Sequence, residues 1–354
     1  AAQGAGISRS RAVVPADGAE RRPWAGGGRA MDAPGARRAD GLPGPCADPE
    51  AVAACLAGSK AGDTLAFPQP LAIGVRTFSG ARVERVFGTK TGARIVHLLP
   101  GEERCIWKFG DMRKECAAVA TLRHMNRRWR RFGVEVCGLA LETVVYEIVP
   151  VGSVGGFVEI VPDSRTLREL AANCSHEERH LRVLGALGSD PARLDRLAAT
   201  TAAYLTAGYV LGVRDGHDDN IMLRGDGALF RIDFGFLFGE TPEIDAPQTV
   251  VPRAVSFALG PRRWDAVVAS CRGALCTVMG GEADRLPAWE ALACVPEMHR
   301  FLGEAAPHLS TLSLHEFAQN VACADQWSLA RAAKNALRDA VRFILTPEEE
   351  DDAR

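Results

Sequence analysis

The sequence lacks most of the features that assign a class at a glance. It has no run of about eighteen apolar residues, so no membrane-spanning helix is expected. No stretch near its start combines a basic, an apolar and a small-residue region, so no secretory signal is expected. Charge of one sign is not in excess: the formal net charge is -2, and no global field points to nucleic acid. The cysteines, 10 in all, form no tight framework. Cys271 and Cys276 stand closest, and no histidines accompany them at zinc-site spacing. Small buried thiols in a reducing cytoplasmic setting are the expectation. No internal repeat is visible. The chain opens on Ala1 rather than Met, which makes a fragment or an incomplete gene reading the expectation, with Met31 an available internal start.

What is present is globular. The chain has 354 residues, 47% hydrophobic and 24% charged, enough for one large domain or two lobes. Residues 1 to about 66 are rich in Ala, Gly, Pro and Arg and lack apolar periodicity until "PEAVAACLAG", so most of this stretch is expected to be disordered. At "PLAIGVRTF" the pattern changes. "RVERVFG", "ARIVHLL" and "RCIWKFG" alternate like strands, with turn residues "GTKTG" and "PGEER" between them. A helix is predicted from Asp111, a plausible N-cap, to Arg131, with Val119, Leu122 and Met125 at three-residue steps. The arginines at 127, 128, 130 and 131 suit its C-terminal end. "TVVYEIVPV" and "GFVEIV" predict two more strands. Thr166 and Glu169 have capping-box spacing for a further helix. From there to Leu345 a mainly helical part follows, with the join near Glu147 to Gly155.

One stretch of that part is not helical. "NIML" and "LFRI" read as a hairpin across "RGDG", inside "GVRDGHDDNIMLRGDGALFRIDFGFLFG". A hairpin here brings Asn220, ahead of its first strand, toward Asp233, at the end of its second. An amide carbonyl and a carboxylate are hard oxygen donors, the kind magnesium takes while keeping water and phosphate oxygens. Asp215 and His217 lie one short loop earlier, and a histidine of near-neutral pKa can accept a hydroxyl proton. Gly235 lets the backbone turn away from the metal. Phosphoryl transfer also needs a cation for the nucleotide phosphates. Lys108, at the end of "RCIWK", is the candidate. Its acidic partner on the following helix is Glu115 as first choice and Asp111 as second.

These residues resemble a known family. "DGHDDNIM" followed by "RIDFGFLFG" resembles the catalytic loop and activation-loop start of the phosphatidylinositol 3-/4-kinase superfamily. "WKFGDMRKE" and "YEIVPVGSVGGFVEIVPDSRTL" are similar to its lysine-bearing segment and its hinge region. The likeness runs from about Arg82 to Leu345. It implies an α+β, protein-kinase-like, two-lobed fold: an N-lobe over 67–150, a C-lobe over 151–346 and an acidic tail over 347–354. It implies an ATP-dependent kinase using Mg2+ or Mn2+. On that pattern Lys108 contacts the ATP phosphates, and Asp215 and His217 handle the acceptor hydroxyl. Asn220 and Asp233 hold the metals. Ile148 and Val149 lie at the adenine-binding hinge, Met222 and Ile232 form the apolar floor, and Tyr146 and Glu115 flank the inner pocket. The sequence departs from the family at Gly216, where the family has Arg, at Arg214, where it usually has Gly, and in "GDMRKE", which is one residue shorter.

The segment from Phe236 to Pro252 carries Glu240, Glu243 and Asp245 and no Lys or Arg. A loop gripping extra inositol phosphates would carry cations. The expected acceptor is therefore a sparsely phosphorylated lipid, phosphatidylinositol itself, at a membrane surface. The alternatives are a protein hydroxyl, as for a serine/threonine kinase of the phosphatidylinositol-kinase-related group, and a pseudokinase acting as a binding module. From Trp327 to Leu345 an apolar stripe faces a basic one, suiting either a peripheral membrane contact or a docked helix, and the following "EEEDD" weighs against anionic lipid.

Overall fold

A computed structural model describes residues 48–324 apart from 75, 89–91, 173, 176–177, 215–216, 242–250 and 281–287. Asp215, Gly216, Glu243, Asp245, the stretch from Trp327 to Leu345 and the acidic tail lie outside the described residues. The fold is mixed α+β.

Helix α1 (Pro49–Ala57) starts on Asp48, whose carboxylate accepts the Ala51 N–H, and it buries Val52, Ala53 and Leu56. Strands β1 (Thr64–Ile73), β2 (Arg76–Val86), β3 (Arg94–Leu99) and β4 (Glu103–Phe109) then run as an antiparallel meander. Regular structure is therefore present before residue 67, at Pro49–Ala57 and from Thr64 onward. A short helix gains its stability from docking rather than from propensity, and α1 docks on β1.

Helix α2 spans Arg113–Arg131. Its N-cap position is Met112, one residue later than expected, although Asp111 still receives the Arg113 N–H at 3.0 Å. A two-stranded ribbon, β5 (Glu135–Val136) with β6 (Leu139–Ala140), leads to β7 (Ile148–Val151) and β8 (Gly155–Glu159). Both return to the first sheet, whose order is β1-β2-β3-β4-β8-β7. The expected join at 147–155 thus falls inside this sheet, and the sheet-rich part ends after Glu159 rather than at residue 150. A strand's hydrophobic run does not say which neighbour it will pair with; here β8 lies against β4, with Lys108 opposite Gly156 and Trp107 opposite Phe157.

Beyond Glu159, β9 (Ser164–Thr166) leads into α3 (Leu167–Leu170) through the expected Thr166/Glu169 capping box. Then come α4 (Arg179–Leu187), α5 (Pro191–Val210), the hairpin β10 (Ile221–Arg224) and β11 (Leu229–Arg231), and α6 (Arg253–Met279), which kinks at Gly260. Helices α7 (Ala288–Ala293), α8 (Leu302–Leu309) and α9 (Leu314–Ala322) complete the described chain. No described helix is long and apolar enough to cross a membrane.

Two hydrophobic clusters hold these elements. The smaller lies under α1 and includes Leu56, Phe78, Trp107, Val149 and Phe157. The larger joins α2 to the hairpin and the C-terminal helices and includes Leu122, Met125, Trp129, Phe230, Phe234 and Phe317. Helix α2 is thus buried against the helical part, and polar contacts fix it there: Trp129 Nε1 donates to Ala274 O at 3.0 Å and Arg128 Nε to Thr277 O at 2.8 Å, both on α6.

Candidate active site

The chain approaches the site from the end of α5. Residues 211–214 run beside 236–239: Phe238 N–H donates to Leu211 O at 2.8 Å, Gly239 N–H to Gly212 O at 3.0 Å and Arg214 N–H to Phe236 O at 3.0 Å. Gly212 permits this closeness. Its φ is 60°, and a Cβ there would lie 2.6 Å from the Gly239 nitrogen. A 3-10 turn, Asp218–Asn220, follows and delivers the chain into β10.

The hairpin register sets the next step. Ile221 faces Arg231, and the pairing extends one residue outward, where Ile232 N–H donates to Asn220 O at 3.0 Å. Asn220 and Asp233 are thereby brought to the same end of the hairpin, as the spacing predicts. Asp233 adopts φ 67°, a conformation that Asp tolerates better than most residues. Its Oδ1 accepts the Gly235 N–H at 3.1 Å, which fixes the carboxylate against its own turn.

Lys108 comes from the sheet. Its Nζ lies 3.4 Å from Glu115 Oε2 and 3.8 Å from Asp233 Oδ2. Glu115 is therefore the partner, as first chosen; Asp111 pairs with Arg113 instead. Burial pulls the lysine pKa down, but the charges of Glu115 and Asp233 outweigh it and raise the net value, so Lys108 is a firm cation. Burial raises the Glu115 pKa, while Lys108 and the Phe234 backbone N–H favour its charged form. The Asp233 side chain is 46% exposed and that of Glu115 12%, so the outer carboxylate meets solvent and the inner one serves the lysine. Tyr146 is buried behind them, its hydroxyl against the Asp233 backbone and its pKa pushed well up by burial.

Close backbone approach makes room for this arrangement. A Cβ on Gly156, opposite Lys108, would stand 2.9 Å from Met112 Cγ and from Val149 O.

The other expected residues fall as follows. Ile148 shares the Lys108 face of the sheet, since it lies opposite Val158 on the strand next to Ile106. Val149 faces the other way, into the cluster with Trp107 and Phe157, because successive strand residues alternate. Its side chain therefore does not line the Lys108 side, and the chain leaves the sheet only after Glu159. Met222 and Ile232 are half-buried and pack against the larger cluster. His217 is brought to the head of the hairpin but is buried, with Nδ1 3.8 Å from Asp219 Oδ2.

Several contributors were not legible in the sequence. Arg179 on α4 lies 3.3 Å from Asp218, and Arg168 on α3 lies 3.5 Å from Asp219, so two helices stake the Asp218–Asn220 turn. Lys114 Nζ lies 3.1 Å from Glu240 and 3.0 Å from Glu304 and sits over the Phe238 ring, clasping α2 to the segment after Asp233 and to α8. Arg231 is buried under both loops. All of these are long-range contacts; only the Asp218-Asp219 pair, two adjacent acids in a buried turn, hinted that cations must come from elsewhere.

Asn220 and Asp233 fit a divalent metal of the magnesium kind. Both offer oxygen donors from one end of the hairpin, Asp233 is half-exposed and oriented by its turn, and a lysine flanks it to share phosphate oxygens. Among the described residues no group of three or more His, Cys, Asp or Glu gathers as a metal cage. Two protein oxygens with water and phosphate completing the sphere are what this donor set offers.

Comparison with known proteins agrees with the local geometry. Residues 189–255 match the family model for phosphatidylinositol 3- and 4-kinase, a span covering α5, the catalytic loop, the hairpin and the start of α6. The chain is 28% identical over 169 residues to a phosphatidylinositol 3-kinase, root isoform, of Glycine max, covering 45% of this chain and 20% of that protein. It is 33% identical over 150 residues to a phosphatidylinositol 4-phosphate 3-kinase C2 domain-containing subunit alpha of Pongo abelii, covering 39% of this chain and 9% of that one. Against phosphatidylinositol 3-kinase VPS34 of Arabidopsis thaliana it is 26% identical over 169 residues, with 45% and 20% covered. The matched stretch thus spans a fifth or less of each of these three relatives. Taken with the hairpin that joins Asn220 to Asp233 and the lysine held between two carboxylates, these matches support a likeness of this region to the phosphatidylinositol 3-/4-kinase catalytic domain superfamily.

Proposed function

We propose that the protein is an ATP-dependent lipid kinase that transfers the γ-phosphate to an inositol-ring hydroxyl of phosphatidylinositol at a membrane surface. The observation that carries this is the convergence on Lys108: a cation on a central strand, 3.4 Å from a buried glutamate and 3.8 Å from the half-exposed aspartate of the hairpin. On this reading ATP lies between a sheet-rich lobe and a helical lobe, with Ile148, Met222 and Ile232 as apolar surroundings for the base. Lys108 holds the nucleotide phosphates, and Glu115 holds Lys108. Asn220 and Asp233 would hold Mg2+ or Mn2+, which supplies charge neutralisation on the phosphates when bound. His217 accepts the proton of the acceptor hydroxyl, with Asp215 beside it in sequence. The hydroxyl oxygen bonds to the γ-phosphorus, the bond to the β,γ-bridging oxygen breaks, and ADP leaves.

The substrate reading rests on the acidic segment after Asp233. Of its acids, Glu240 is engaged by Lys114, and the described residues 236–241 offer no cation to an extra phosphate. Purified protein with radiolabelled ATP and Mg2+ should label vesicles containing phosphatidylinositol and label vesicles containing its bisphosphate at least about tenfold less, the ratio set by about 1.4 kcal/mol of charge repulsion. Label on protein acceptors with none on lipid overturns the lipid reading. Mg2+-dependent ATP binding with no turnover of any acceptor overturns the enzyme reading.

A further inference from the structure

We propose that Arg231 is a positioning residue that couples the catalytic loop to the Asp233 turn, and through it to Lys108. Its place in "ALFRI" is unusual for a cation: the residue closes β11 and is only 8% exposed. A buried guanidinium is costly unless its donors are used. Here Nη2 donates to Arg214 O at 2.5 Å and Nε to Asp233 O at 3.2 Å.

The two acceptors are informative. The Arg214 carbonyl belongs to the peptide unit that leads into residue 215, so holding its oxygen fixes the plane from which the catalytic loop departs. The Asp233 carbonyl belongs to the peptide unit whose other end is the Phe234 N–H. That N–H faces Glu115 and favours its charged form, and Glu115 is 3.4 Å from Lys108 Nζ. One rigid peptide plane is thus held on its oxygen by Arg231 and turned on its nitrogen toward the lysine's partner. The chain of contacts runs Arg214, Arg231, the 233–234 peptide, Glu115, Lys108. It joins the loop that handles the acceptor to the cation that handles the nucleotide. The same peptide follows a residue at φ 67°, where a left-handed backbone needs outside support to persist. The role assigned to Arg231 is to set where the others stand, through the Arg214 and Asp233 carbonyls.

This inference rests on the kinase reading for its catalytic consequence, but not for the coupling itself, and the test separates the two. Arg231→Met keeps length and removes every donor. Arg94→Met is the control: Arg94 is also a buried arginine, donating to Ser59 Oγ at 3.0 Å and Ala57 O at 2.6 Å, and it lies opposite Trp107, on the face of the sheet away from Lys108. Mn2+ binding in the presence of a non-hydrolysable ATP analogue is read by electron paramagnetic resonance, and backbone protection by hydrogen exchange. Loss of a supporting partner of metal ligands typically costs about 10–100-fold in metal affinity, and Arg231→Met should weaken Mn2+ binding by that much. It should also speed exchange over 233–236. Arg94→Met should lower the melting temperature and do neither. Equal Mn2+ affinity and equal exchange at 233–236 in wild type and Arg231→Met overturn the proposal. If that variant does not fold, Arg231→Gln, neutral with a single amide donor, carries the same comparison, and wild-type values in it are equally fatal. A wild-type protein that binds no Mn2+–nucleotide defeats the kinase reading, and the coupling is then decided by the exchange data alone.

Discussion

The two sides of the site are built in opposite ways. The hairpin side is local: His217, Asn220, Met222, Ile232 and Asp233 lie on one turn and one pair of short strands, and the main-chain pairing that aligns them spans only the open end of that hairpin. The sheet side is remote. Lys108 and Glu115 are close in sequence, yet their meeting depends on α2 being pinned to α6, with Trp129 bonded to a residue 145 positions away. It also depends on a second strand, β8, giving Lys108 a glycine for a neighbour. Local pairing aligns the hairpin side, and Arg168 and Arg179 brace its turn from two helices. The sheet side inherits the stability of the whole helical part.

The sharpest way to break this comparison is to remove chemistry from the local side without touching its shape. Asp233→Asn keeps a residue that tolerates the left-handed backbone and keeps an acceptor for the Gly235 N–H. It removes the charge. Turnover should fall on the order of a thousandfold, while the urea midpoint stays near that of wild type. Retained turnover would remove Asp233 from the site.

A smaller effect is expected from the remote side. Glu115→Gln removes the leading charge that raises the Lys108 pKa against its burial. The protonated amine is the form that binds phosphate. In wild type it persists to above the ordinary lysine range; in the variant burial is opposed by Asp233 alone, so the amine loses its proton at lower pH. Nucleotide binding should weaken roughly tenfold near neutrality, and its alkaline limb should move to lower pH. A limb that stays where it is would mean that Glu115 does not set the lysine's charge.

The smallest effect tests remoteness itself. Trp129→Phe removes the indole donor to Ala274 O, a carbonyl that keeps its own bond within α6. It should destabilise the fold by about 0.5–1.5 kcal/mol in urea unfolding and lower turnover only a few fold. The loss should appear as weaker nucleotide binding, the property of the lysine side. If it appears instead with nucleotide affinity unchanged, the two sides are not separable in the way their construction suggests.

The same division decides what was legible in the sequence. Period-two patterning, the "RGDG" turn and the capping box at Thr166 and Glu169 act over a few residues, and the structure contains each of them. The alternation of "RCIWKFG" placed Lys108 on a strand, and the helix after it offered Glu115. Misread were the features that only tertiary pairing supplies. "GFVEIV" was a strand either way, but nothing in it says that it joins β4, so the end of the sheet was set too early. Val149 follows Ile148, and alternation turns its side chain to the far face. The helix at Pro49–Ala57 follows a Gly- and Pro-rich run and is too short to announce itself. Arg231, Arg168 and Arg179 carry no signal in the sequence, because their partners are carbonyls and carboxylates brought in by folding.

Lys114 stands one residue before Glu115, bound on one side to Glu240 and on the other to Glu304. A single ammonium thus spans three stretches of chain that are distant in sequence. Whatever draws Glu240 aside, a docked headgroup or a neighbouring protein, would strip that ammonium of one of its two anions. The slack would be taken up at the next position along the helix, where the nucleotide's lysine is held. Arrival of one substrate and readiness for the other would then be two ends of the same spring.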